Sequence, residues 1–336
     1  MITNKKILVS TSPFLKDSAT TPKIMMQVVY TLIPLVLASI YYFGLGALLV
    51  MLTAILSCLF TEWLFNKSSA KFKSLQDGSA LITGILLALT LPPGFPLWMV
   101  FVGGFVAIGM GKVMWGGLGQ NLFNPALLGR AFLQAAFPTA ITTWSPPDGR
   151  YFDFRGTNAA FPFFQGENID AVTSATPLAK MKFDHVFTDL YELLIGSTGG
   201  SLGETCGLLI IFAGIYLLIK KIIDWRIPVS ILLTVALLSG LFFLIDPKIY
   251  PSPLFMILSG GLLLGTVFMA TDLVTSPITP KGTWIYGIGI GILVVVIRLW
   301  GGLPEGVMYA ILLMNAATPL LNRYTKIRTY GHGKRV

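Results

Sequence analysis

Between residues 170 and 178 the chain reads Asp170-Ala171-Val172-Thr173-Ser174-Ala175-Thr176-Pro177-Leu178, a polar stretch dense in hydroxyls. Pro177 biases Thr176 toward extended backbone, which would present its hydroxyl as an exposed loop nucleophile. Ser174 and Ala175 are small and leave room for a bulky group beside it. Composition alone favours the plainer reading, a surface loop with several Ser and Thr residues.

A few ionisable groups stand beside long apolar runs. Asp77 and Asp272 fall at comparable ends of two such runs. An acid near a membrane pathway is a candidate ion-handling group, and Asp77 also suits the amino end of a helix, where a carboxylate is favoured. Glu62 and Glu204 are expected at membrane interfaces. His185 and His332 have no companion at metal-ligand spacing and are expected to be solvated. Cys58 and Cys206 exclude a disulfide framework and a four-cysteine metal site within the chain; each reads as a small apolar residue. No metal site is expected.

These groups are set in a chain that is 54% hydrophobic and only 12% charged over 336 residues, with a mean hydropathy of +0.76. A soluble domain carries about 25% charge, and a surface this apolar is unsuited to water. The net charge of +9 does not indicate nucleic acid, because the basic residues lie in short segments between apolar runs. The first 23 residues are polar and resemble no cleavable signal.

A bilayer core of about 30 Å needs about 20 apolar helical residues. Ten spans are predicted, near 25–43, 45–65, 78–91, 96–111, 121–138, 204–220, 227–245, 252–270, 283–300 and 304–321. Most of the Lys and Arg residues then fall on one side. They include Lys67, Lys71, Lys73, Lys112, Lys220, Lys221, Arg226, Lys281 and the basic residues of both tails. The positive-inside rule places both termini in the cytoplasm and 139–203 outside. The organisation is a cytoplasmic tail (1–24), a membrane half (25–138), an extracytoplasmic loop (139–203), a second half (204–321) and a second cytoplasmic tail (322–336).

Trp115-Gly116-Gly117-Leu118 and Trp300-Gly301-Gly302-Leu303 open the fifth and tenth spans. Five spans apart, they predict two inverted five-helix repeats, an arrangement that places a pathway at interrupted helices near the midplane. Pro92-Pro93-Gly94 ends the short third span, and the third and eighth spans, with Asp77 and Asp272 at their cytoplasmic ends, are expected to be the interrupted helices. Asn124-Pro125 lies within the fifth, where proline removes a backbone donor, and Thr318-Pro319 lies within the tenth. Gly261/Gly265 and Gly287/Gly291 are read as close helix-packing positions.

The stretch Asp170-x-x-Thr173-x-Ala175-Thr176 resembles the covalent flavinylation motif, in which a transferase esterifies FMN phosphate to the last threonine. Three further blocks are similar to one family: Asp77-Gly-Ser-Ala-Leu-Ile-Thr-Gly84, Gly116-Gly-Leu-Gly-Gln-Asn-Leu-Phe-Asn-Pro-Ala126 and Ala270-Thr-Asp-Leu-Val-Thr275. The family comprises the D subunit of the Rnf electron-transport complex and the B subunit of the sodium-pumping NADH:quinone oxidoreductase. The likeness runs from about residue 8 to the end. The short amino tail and Tyr330-Gly331-His332 resemble the Rnf subunit more closely. Thr173 stands where many members have serine, and Leu273 where relatives often have proline.

The resemblance implies an all-α subunit of a redox-driven Na⁺ or H⁺ translocase, inactive alone, passing electrons between ferredoxin and NAD⁺. It implies FMN held by a phosphoester on Thr176, with Asp170, Thr173, Ser174 and Ala175 serving recognition by an FMN transferase. It also implies a second, non-covalent flavin such as riboflavin, which no motif here places. Trp144, Tyr151, Phe152 and Phe154 are available to shield an isoalloxazine ring or to anchor the loop at the interface. The implied partners are the other subunits of an Rnf-type complex and the lipid bilayer of a bacterial or archaeal cytoplasmic membrane. A B-type quinone-reductase subunit and a urea- or ammonium-type channel of similar fold are the alternatives.

Overall fold

The computed structural model describes residues 20–66, 74–146, 152, 156–160, 175–204 and 206–326, and all regular structure among them is helical. The first half contains α1 (Thr21–Phe43), α2 (Leu45–Phe65), α3 (Ser79–Leu89), α4 (Leu97–Ile108), α5 (Pro125–Ala136) and the short α6 (Pro138–Ile141). Two short helices follow in the connecting segment, α7 (Pro177–Ala179) and α8 (Leu190–Ile195). The second half contains α9 (Gly207–Ile219), α10 (Arg226–Ile245), α11 (Pro253–Leu258), α12 (Leu262–Leu264), α13 (Pro280–Trp300) and α14 (Val307–Tyr324). Wider π-turns extend α4 through Gly109–Val113 and α12 through Gly265–Met269.

Four helices are long and apolar enough to cross a membrane: α1, α2, α10 and α13. Shorter apolar helices, α3, α4 with its π-turn, and α9, pack among them. On α10, Leu233, Leu237, Leu241 and Leu244 form an exposed row at helical spacing, and Leu52, Leu56, Phe60 and Trp63 do the same on α2. Rows of this kind face lipid, where apolar surface carries no penalty. The protein is a multi-pass membrane protein.

Each of the ten predicted spans coincides with helix, but not always with an unbroken one. The eighth, predicted over 252–270, is broken at Ser259-Gly260-Gly261, with Gly260 at φ +65, a left-handed conformation that glycine adopts freely. The third is only eleven residues long and ends ahead of Pro92-Pro93. The fifth, predicted from 121, starts at Pro125. Asn124 caps it by accepting from the N–H groups of Ala126 and Leu127, so the proline sits in the first turn, where its missing N–H costs nothing. Pro319 does lie inside α14.

Packing is similar in the two halves. In the first, α2 packs on α3 and α4, and α4 on α5; in the second, α10 packs on α11 and α13, and α13 on α14. Gly287 and Gly291 lie against Ser230 and Thr234 of α10, too close for a Cβ, which bears out their reading as packing positions. The Trp115–Leu118 and Trp300–Leu303 sequences do not open helices: the first forms a turn ahead of α5, and the second closes α13 at Trp300 and bends toward α14.

Candidate functional site

Thr176 is the residue immediately before α7, and its hydroxyl accepts a hydrogen bond from the Ala179 N–H at 3.2 Å. Proline at the next position suits this cap. Contrary to the expected exposed loop nucleophile, Thr176 is only 8% exposed. It lines a cleft together with Arg130, Trp144, Glu204, Gly260 and Glu305. The cleft therefore joins the two halves: Arg130 comes from α5, Gly260 from the break between α11 and α12, and Glu305 from the turn before α14.

The cleft is charged. Arg130 pairs with Glu305 at 3.5 Å, and Glu305 also accepts from the Gly261 N–H at 2.5 Å. Beneath them Arg298, fully buried, donates to the carbonyls of Met256 at 2.5 Å and Ser259 at 3.0 Å. These carbonyls are freed by the break after α11, so Arg298 satisfies a helix end that has no intrahelical partner. Glu204 is in the segment ahead of α9, where its partner is the Ser201 N–H at 3.3 Å. Burial, and after it the neighbouring Glu305 carboxylate, pushes Glu204 up to about 8. Burial acts the same way on Glu305, but Arg130 and Arg298 outweigh it and hold that carboxyl below its ordinary value. Glu204 thus faces the cleft.

Bonds from the connecting segment fix Thr176 relative to the bundle. Lys182, in the π-turn after α7, donates to the carbonyls of Ile297 at 3.2 Å, Leu303 at 2.9 Å and Gly301. Asn158, buried, donates to Pro93 and Phe95, each at 3.1 Å. The amides of Leu202 and Gly203 donate to the carbonyls of Leu91 and Leu89 at the end of α3. Trp144 lines the cleft, whereas Phe152 is 93% exposed. Asp170, Thr173, Ser174, Tyr151, Phe154 and His332 lie outside the described residues. His185 is exposed at φ 54, closing the π-turn.

A second cleft lies at the start of α5 and is lined by Ser79, Lys112, Asn121, Asn124, Phe268 and Asp272. Lys112, expected as a loop charge, is buried here. Its ammonium contacts Glu62 at 2.6 Å and the Ser79 hydroxyl at 2.5 Å, with Asp77 at 3.8 Å. Glu62, expected at the interface, is fully buried, and Ser74 also donates to it. A lone carboxylate at that depth would be costly, and Lys112 compensates it. Asp77 accepts from both the amide and the hydroxyl of Ser79, at 2.8 and 2.6 Å, which is the capping role open to it in the sequence. Asp272 accepts from the Thr275 hydroxyl at 3.1 Å. The structure thus brings Asp272 to the same cleft as Lys112 and Ser79, with Asp77 bonded behind. Cys58 is buried beside Gly104, and the Cys206 thiol donates to the Ile195 carbonyl at 2.9 Å.

The sequence around these clefts matches a known family along almost the whole chain. Residues 8–331 fit the model described as the NQR2, RnfD, RnfE family. The chain belongs to this family. It is 40% identical to the D subunit of a proton-translocating ferredoxin:NAD(+) oxidoreductase complex from Clostridium ljungdahlii, over 96% of both chains. It is 42% identical to the D subunit of an ion-translocating oxidoreductase complex from Stutzerimonas stutzeri, over 93% of both. It is also 40% identical to the D subunit of a Na(+)-translocating ferredoxin:NAD(+) oxidoreductase complex from Acetobacterium woodii, over 97% of this chain and 95% of the other. In this family member, Arg130, Arg298, Glu305, Lys112 and Lys182 are site residues that no sequence motif marks. Arg130 and Arg298 carry a usable signal all the same: each is a lone cation inside an apolar run, which in a membrane protein marks a partnered position.

Proposed function

We propose that this chain is the flavin-carrying D subunit of a complex that couples electron transfer between ferredoxin and NAD⁺ to outward movement of Na⁺ or H⁺. The observation that carries the reading is the position of Thr176, the last residue of the flavinylation motif, on a cleft between the two halves. The residues there suit a flavin phosphate. The Thr176 hydroxyl is used only as an acceptor among the described residues, Arg130 supplies positive charge, and Trp144 supplies an aromatic face. FMN bound there would supply the one- and two-electron chemistry, and the protein would set its position and potential.

Thr176 would be modified by a flavin transferase acting outside the membrane. Its oxygen bonds to phosphorus of a flavin phosphoanhydride as the anhydride P–O bond breaks, and the leaving phosphate ester departs with the electron pair while the threonine proton goes to a base. Asp170, Thr173, Ser174 and Ala175 serve recognition by that transferase. Both termini are assigned to the cytoplasm and 139–203 to the outside, from the distribution of Lys and Arg. The matching turns at Trp115 and Trp300 and the parallel packing of the halves support an inverted repeat, with α5 bridging the two clefts. Asp272 and Asp77 are assigned to the ion pathway at the cytoplasmic cleft. The energetics are adequate: a two-electron drop of ~100 mV releases ~4.6 kcal/mol, and one charge moved against ~150 mV costs ~3.5 kcal/mol. The subunit works only with its partner subunits, since no nicotinamide or cluster-ligand motif is present in the sequence.

The test is ferredoxin-driven ion uptake into vesicles holding the assembled complex. Uptake that is lost in Thr176→Ala, while the complex still assembles, supports the reading. Uptake at the wild-type rate in that variant contradicts it.

A further inference from the structure

Arg130 is poorly used by the groups around it. Of its guanidinium, only one Nη reaches Glu305, and at 3.5 Å that contact is long. Its Nε is buried with no partner among the described residues. Glu305 takes its shorter bond on its other oxygen, from the Gly261 N–H. The residue as a whole is 8% exposed. A buried arginine with an idle N–H ordinarily signals a missing acceptor.

The chemistry of the cleft limits what that acceptor is. Arg130 lines the same cleft as Thr176. The nearby charges are Arg130, Arg298 and Lys182 against Glu204 and Glu305, so one positive charge is left over. A singly charged group with two free oxygens matches both that charge and the planar fork of a guanidinium. A phosphodiester has that charge and those two oxygens.

We propose that Arg130 binds the phosphate of the flavin carried by Thr176, with Glu305 orienting the guanidinium from the far side. The proposal rests on the reading that Thr176 is flavinylated. Arg130 then neutralises the linkage and fixes the point about which the ring pivots. It is a binding and positioning residue, and the electrons do not pass through it.

The test separates phosphate recognition from covalent attachment. Thr176→Ala cannot form the ester, so free FMN and free riboflavin, which differ by the phosphate, are compared on the purified variant by equilibrium dialysis. FMN is expected to bind about tenfold more tightly, the scale of one charge-assisted contact. Adding Arg130→Gln is expected to bring FMN down to the riboflavin level and leave riboflavin unchanged. Arg130→Lys keeps the charge without the fork and is expected to fall between. Equal affinities in Thr176→Ala, no measurable FMN binding, or an FMN preference that survives Arg130→Gln would overturn the proposal. Should Arg130→Gln not fold, the ³¹P resonance of flavinylated wild-type protein decides. A shift on passing from denatured to native protein is expected, and an unchanged resonance is contrary. Peptide mass on the wild type checks attachment separately, so a blank there sinks the flavinylation reading by a different measurement.

Discussion

Arg130 and Glu305 are 175 positions apart in the chain and pair across the seam between the two halves. Six residues before Arg130, at the cap of the same helix, Asn124 donates to the Met269 carbonyl at 3.2 Å. Helix α5 is thus tied to the second half at its start and at its middle, one tie at each cleft. Truncating Glu305 to Ala leaves Arg130 uncompensated and removes the acceptor for Gly261 N–H. Such losses cost about 3 kcal/mol when the pair is buried. Urea or thermal unfolding of Glu305→Ala in detergent should show a loss of that order, with a smaller loss for Glu305→Gln, which keeps the Gly261 contact.

Lys182 holds three carbonyls at the end of α13 and in the turn after it. Lys182→Met would leave those carbonyls without their donor and loosen the segment that presents Thr176. Limited proteolysis between 177 and 195 should become faster, while the helices of the bundle stay protected. Unchanged cleavage would show that Asn158 and the Leu202–Gly203 amides suffice to hold the segment.

Glu204 gives the fold a pH dependence of definite sign. Its carboxyl titrates near 8 in the folded chain, against an ordinary value of 4.5. Between these values the folded state binds the extra proton, so stability should fall as pH rises through that window and level off above it. Melting temperatures from pH 5 to 8.5 should therefore decline more steeply in the wild type than in Glu204→Gln. Parallel curves would show that Glu204 is ionised throughout.

At the other cleft, Lys112→Met would strand Glu62 in the interior. An uncompensated buried charge costs about 3–5 kcal/mol, so this variant is expected to assemble poorly. Asp272→Asn and Asp77→Asn keep the local hydrogen-bonding shape. They are expected to slow ion-coupled turnover and change its ion dependence while flavin stays attached. Wild-type rates and ion dependence in both would remove these acids from the pathway.

A cysteine placed at Gln165 tests the topology. Labelling by an impermeant reagent in intact cells is expected; labelling only after permeabilisation would reverse the assigned sidedness.

The helices were legible because the sequence pattern responds to the solvent: long apolar runs mark α1, α2, α10 and α13. The break at 92–94 was legible because Pro-Pro-Gly is a local signal. An interruption of the eighth span was expected from Asp272 at its end, matching Asp77 in the third, but its place at 259–261 was not legible, since Ser-Gly-Gly within an apolar run interrupts a helix only when its freed carbonyls find partners. Here Arg298, some forty residues away, supplies them. The same reason hid the burial of Glu62. Its position in a run gives its depth only within a turn or so, and its partner Lys112 is fifty positions distant. Thr176 was legible as a motif, but its seat in a cleft depends on Lys182 and Asn158 contacts with distant turns.

Modification of Thr176 is the central claim, and peptide mass tests it most directly. The chain is produced in cells containing the transferase and digested, and the peptide spanning 171–180 is measured. It should carry the added mass of FMN less one water, and the intact chain should fluoresce after denaturation. Thr176→Ala should abolish both signals at a stability cost of about 1 kcal/mol for the lost cap. Thr176→Ser should give partial modification, since the hydroxyl remains without the methyl that restricts its rotamer. An unmodified mass for 171–180 in active, transferase-containing cells would contradict the account.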